Sequence, residues 1–134
     1  MKELIKALED YSCVVENNGE IKHKLNEKGI KPLLDIYLNY KEDLKNSKVA
    51  DKIIGKAGAF ILILGEIEAV HAKVISKRAQ KFLEKYNITL TYDTLINEIR
   101  NRQDTGMCPM EELVKDIEEP GEALEVILKF INRK

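Results

Sequence analysis

The stretch AGAFILILG, Ala57 to Gly65, sets the hardest condition on the fold. None of its side chains carries a charge or a hydrogen-bonding group, so most of them must leave water. The run is too short to cross a bilayer as a helix, which needs about 20 residues, so a protein core has to cover it. Within VADKIIGKAGAFILILGEIEA (Val49 to Ala69), Ile53, Ile54, Ala57, Ile61, Leu62 and Leu64 fall at helical spacing. That spacing predicts one long helix, preceded by Ser47 or Lys48, which becomes apolar all round and is largely buried. A buried strand over FILIL satisfies the same residues, because periodicity does not separate the two in a short apolar run. Gly55 and Gly58 would each weaken the helix by about 1 kcal/mol relative to alanine. They would also let a backbone or a ligand approach closely.

The elements around this segment follow from local signals. KELIKALED places Leu4, Ile5 and Leu8 on one side of a first helix. In YSCVVENNGEIKHKL, apolar residues flank NNG, which predicts an antiparallel hairpin. GIKPLLDIYLNY reads as a helix with Pro32 in its first turn, where a missing N–H costs little, and KEDLKNSK as a polar connection. AVHAKVIS alternates as a strand, and Ser76 is placed to cap the helix KRAQKFLEKYN. ITLTYDTLI begins as a strand and turns helical after Asp93. MCPMEELVKDI and EPGEALEVILKFINR close the chain as helices, each with a proline at its start. A hairpin feeding strand–helix–strand units predicts one mixed sheet covered by helices, in a single domain over residues 1–134.

Charge and composition narrow the partners. A net charge of −1, no tryptophan and few aromatics give no basic stripe with stacking groups, so nucleic acid is not expected. The first ten residues alternate charge and apolar character, unlike a secretory leader. No stretch reads as a membrane span. Two cysteines, Cys13 and Cys108, make no disulfide framework, and a reducing cytoplasm is the simplest compartment. Neither a cofactor motif nor a metal-ligand spacing appears: His23, His71, Cys13 and Cys108 supply no C-x-x-C and no H-x-x-x-H.

Two stretches carry candidate chemistry. In RNRQDTGMCPMEELV, Cys108 precedes Pro109 at a helix start, where the helix dipole favours a thiolate. The plainer alternative is a well-built helix start, with Asp104 or Thr105 as cap and Glu111 and Glu112 complementing the dipole. In ADKIIGK, Asp51, Lys52, Gly55 and Lys56 cluster at the expected start of the apolar helix. Backbone N–H groups there would hold a small anion, helped by either lysine. The alternative is a solvated charged turn. The spacing of a phosphate loop is absent.

The motifs SCVVENNGEI, GIKPLLD, VADKIIGKAGA, AVHAKVIS and TGMCPMEELV resemble a small prokaryotic domain family of unknown function. That family is placed in the cytidine deaminase-like superfamily. The resemblance spans about Leu4 to Phe130 and implies a three-layer α/β/α fold with a mixed sheet. Active deaminases of that superfamily hold zinc at two helix starts, through His or Cys followed by x-Glu, and through P-C-x-x-C. Here the expected starts offer Ala50, Asp51 and Lys52 near KVADK, and Ser76 and Lys77 near ISKRA. Zinc-dependent deamination is therefore not expected.

Two functions are consistent with these residues. One is a metal-free site for a small anionic or nucleotide-like ligand, binding it or transferring a group. Asp51 would act as base, Lys52 would polarise or neutralise an anion and Cys108 would act as nucleophile, with Gly55, Lys56, Ser76, Asp104, Thr105 and Gly106 contacting the ligand. The other is a non-catalytic homo-oligomeric module, in which the apolar run exceeds what one small core can cover.

Overall fold

The hairpin is set by its turn. Asn18 and Gly19 both take positive φ, 54° and 79°, as a two-residue turn matched to strand twist requires. They join β1 (Cys13–Asn17) to β2 (Glu20–Leu25). On its other side β1 pairs, again antiparallel, with β3 (Lys48–Ile54), aligning Cys13 with Asp51. β3, β4 (Ala69–Ser76) and β5 (Thr89–Ile96) are parallel. The sheet order is β2-β1-β3-β4-β5, a five-stranded mixed open sheet. This computed structural model describes residues 1–27, 29–101 and 103–132.

The helices are α1 (Lys2–Ala7), α2 (Lys31–Asn39), α3 (Lys41–Leu44), α4 (Lys56–Leu64), α5 (Lys77–Lys85), α6 (Pro109–Val114) and α7 (Pro120–Ile131). α4 and α5 are the crossovers of successive parallel strands, and one handedness puts them on the same face, where they pack together and α4 also meets α7. Strand alternation divides the sheet's side chains. Val14 and Ala50 join Leu4 and Leu8 of α1 in a small cluster. Val15, Val49, Val70 and Ala72 belong to the main core around Phe60, Ile61 and Leu62 of α4.

Three expectations are corrected. Lys48–Ile54 is the strand β3, not the first half of a helix. Ile53 and Ile54 are both apolar although Ile53 is exposed and only Ile54 is buried, so the strand lacks clean alternation and its apolar residues imitate helical spacing. The helix begins only at Lys56, after an extended Gly55 (φ −104°, ψ −175°), and FILIL is helical. The segment after Asp93 does not turn helical: β5 runs to Ile96, held by its pairing with Ser76 of β4. KEDLKNSK, read as a plain connection, contains α3. Of the apolar run on α4, Ala57, Ala59, Phe60, Ile61 and Leu62 are buried within the chain, while Ile63 and Leu64 are half-buried. Among the described residues, no helix is long and apolar enough to cross a membrane.

Candidate functional site

β3 delivers the chain to the N-terminus of α4, where backbone N–H groups lack helical partners. Gly55, the residue before the helix, has no side chain to cap them. The partner comes from far along the sequence. Glu111 of α6 accepts hydrogen bonds from the N–H of Lys56 (2.6 Å) and of Ala57 (2.9 Å), one on each carboxylate oxygen. A Cβ at Gly55 would fall on that carboxyl group. Because Gly55 is extended, space for Glu111, and not backbone conformation, calls for glycine there.

Lys56 turns away from this contact. Its side chain is buried. The ammonium donates to the Lys115 carbonyl at 2.8 Å and lies 3.4 Å from the Glu118 carboxylate. It also sits 5.0 Å from the ring centre of Phe82. Its charge fastens α4 to the connection between α6 and α7.

Asp51 stands opposite Cys13 and is buried. Burial pushes its carboxyl up to about 7, against the opposing pull of the Ile53 and Lys52 N–H groups and the Cys13 thiol. Burial, then the Asp51 charge, raises the Cys13 thiol well above its usual range. A carboxyl that titrates near neutrality can take up or release a proton under ordinary conditions.

Asp51 and Glu111 meet at a cleft of about 300 Å³. Ile30, Leu33, Ile54, Ile99 and Met110 make its apolar walls; Gly55, Ala57 and Gly58 open one side; Arg100 and Cys108 complete the polar lining. The Arg100 guanidinium is paired with Glu98 (2.8 Å) and Asp104 (2.9 Å). Cys108 is part-exposed and stands at the N-cap of α6, with its N–H donated to the Ile99 carbonyl at 2.8 Å.

A family model described as a domain of unknown function (DUF1893, TM1506) matches residues 2–131. The chain belongs to the DUF1893 family. The crystal structure of a DUF1893 family protein (TM1506) from Thermotoga maritima is similar to it, with 30% sequence identity and a TM-score of 0.86. That match covers 96% of this chain and 90% of the other. No curated protein matches.

In this DUF1893 domain the structure brings Asp51, Gly55 and Cys108 to one cleft and leaves the other sequence candidates outside its lining. Lys52 follows Asp51 on β3 without reaching the cleft. Ser76 is buried, and its hydroxyl accepts from the Ala79 N–H at 3.2 Å, capping α5. Asp104, Thr105 and Gly106 form a turn closed on itself, with the Thr105 N–H on the Asn101 carbonyl oxygen of the side chain at 3.0 Å. An anion would thus find neither lysine in the cleft lining, and the Lys56 and Ala57 N–H groups already engaged. Glu111 and Arg100 were missed as site residues. Glu111 read locally as a complement to its own helix; the only sequence trace of its task is a glycine where α4 needs a cap.

The zinc of active deaminases does not fit. The true helix starts carry Gly55, Lys56 and Ala57, and Ser76 to Ala79, with a single side-chain oxygen between them, and that one is engaged as a cap. His23 binds Asp43 (2.8 Å) and His71 binds Thr91 (2.8 Å), each elsewhere. Among the described residues, no group of three or more His, Cys, Asp or Glu could hold a metal ion.

The two thiols differ in a way that labelling reads directly. With one equivalent of a disulfide reagent near pH 8, Cys108 reacts first and Cys13 reacts only on unfolding, because reaction needs an accessible thiolate. Equal rates at the two sites, resolved by mass spectrometry, contradict the described burial of Cys13.

Proposed function

We propose that this DUF1893 domain binds a small molecule in the cleft beyond the end of β3. The scaffold is read as cytidine deaminase-like, working without the metal. Support for the scaffold lies in the two helix starts after adjacent parallel strands, Gly55–Lys56 after β3 and Ser76–Lys77 after β4. These are the places where that superfamily carries its zinc motifs. Here the carboxylate of Glu111 sits at the first of them.

Gly58 is the observation that carries the binding site. It lies in the first turn of α4 and lines the cleft. An alanine Cβ there would meet Ile54 Cγ2 at 3.7 Å, an ordinary contact. Packing does not demand glycine, and the helix would be better without it. What glycine preserves at this position is open volume. The cleft is of small-ligand size, apolar with a few converging polar groups, and stands beyond the end of a parallel strand.

Gly58→Ala is expected to stabilise the free domain by about 0.5–1 kcal/mol, read from the urea midpoint. Gly58→Leu fills the cleft. A fragment screen by protein-observed NMR is expected to give shifts grouped on Gly29, Ile54, Gly58 and Ile99, and to lose them in Gly58→Leu. Shifts grouped elsewhere, or unchanged in that variant, would sink the proposal.

A further inference from the structure

We infer that the cleft takes a small amphipathic cation with a planar nitrogen head, of the amidine or protonated aminoheterocycle class. This rests on the small-molecule reading above and goes on to the charge of the ligand. The polar side of the cleft is acidic. Asp51 and Glu111 both line it, while Arg100, the one cationic side chain in its lining among the described residues, is engaged by Glu98 and Asp104.

Each alternative ligand class leaves something unmatched. An anion would face two carboxyl groups with the adjacent helix N–H groups already used. A purely apolar ligand would strip water from those carboxyls without replacing its hydrogen bonds. Glu111 accepts two backbone bonds, and a carboxylate has roughly four acceptor positions. An amidinium presents two parallel N–H bonds, the arrangement that pairs with a carboxylate in a two-pronged fashion. The walls of Ile30, Leu33 and Ile54 would then cover the body of the ligand.

Cys13 of β1 stands against Asp51, and the charged and titratable groups that share its cleft are Glu111 from α6, and Arg100 and Cys108 from the segment after β5. From β4 its register partner is Ala72, which does not titrate. A cation held at Glu111 and reaching Asp51 favours the ionised form of Asp51. Below the Asp51 midpoint of about 7, binding expels its proton, so affinity rises with pH and levels off above it. Between pH 6 and pH 8 the gain is about tenfold for one such proton.

Three probes of one shape separate the possibilities: benzamidine, benzamide and benzoate, titrated into the domain and followed by amide NMR at pH 6 and pH 8. Benzamidine, charged throughout this range, is expected to shift the Gly55, Gly58 and Ile99 amides, to bind about tenfold tighter at pH 8, and to lose that binding in Asp51→Asn. Benzoate or benzamide binding there at least as tightly overturns the cationic ligand and leaves the cleft standing. So does benzamidine binding that Asp51→Asn does not alter. If no probe moves a cleft amide, both the cation and the small-molecule reading fall.

Discussion

Glu111→Ala is expected to lower stability by about 3 kcal/mol, and Gly55→Ala by a comparable amount, yet the two losses should not add. The first removes a buried carboxylate that accepts from Lys56 and Ala57. Two backbone donors are then left without partners at about 1–3 kcal/mol each, relieved in part by water, and the helix loses a negative charge at its positive end. Gly55→Ala damages the same contact from the other side. Its new Cβ occupies the position of the carboxyl, and overpacking of this kind costs about 1–3 kcal/mol. Once Glu111 is shortened to alanine, that collision has no second party. The double variant should therefore unfold close to Glu111→Ala alone, a coupling about as large as the Gly55→Ala loss itself, about 3 kcal/mol. Glu111→Gln keeps one acceptor and should fall between wild type and Glu111→Ala. Urea unfolding of the four proteins measures the cycle. Strictly additive losses would mean that Gly55 and Glu111 do not act through one contact.

The same pair shows what the sequence could and could not disclose. Local signals carried the hairpin, α2, β4, α5 and α7, because NNG, Pro32, alternating valines, Ser76 and Pro120 each act on their immediate neighbours. β3 reads as helix because an exposed Ile53 beside a buried Ile54 leaves the strand no clean alternation. The true boundary is a single extended glycine, which reads the same as a weak spot inside a helix. At the site, Asp51 and Cys108 were recognisable by residue type alone. Their meeting depends on β3 and on the segment after β5 reaching the same end of the sheet, which no spacing encodes. An anion site at Lys52 and Lys56 needs Asp51 to Lys56 to form a single helix start. With that stretch divided between a strand end and a helix start, Lys56 goes to the α6–α7 connection. Glu111, 55 positions from Lys56, leaves no local trace at all.

Asp51→Asn should make the domain more stable at pH 8, by about 2–4 kcal/mol, and change it little near pH 4. In the unfolded chain an aspartate loses its proton near 4. In the folded domain Asp51 holds it to about 7, chiefly through burial. Between those values the native state binds more protons than the unfolded one, so stability falls as pH rises and the full loss is in place above the folded midpoint. The displacement from 3.8 to about 7 corresponds to roughly 4 kcal/mol as a ceiling. Asparagine has nearly the same shape and keeps an oxygen for the Ile53 N–H that Asp51 accepts at 3.3 Å, but it cannot ionise. Its curve of stability against pH should lack the fall between about 4 and 7 that Asp51 imposes. Urea unfolding at pH 4.5, 6 and 8 tests this. Parallel curves for the two proteins, or a variant less stable at pH 8, would show that Asp51 is not strained by its charge. If the curves separate as expected, the wild-type residue weakens the fold at neutral pH, and packing alone would favour its replacement. A destabilising acid kept beside an open cleft fits a site where binding takes precedence over stability.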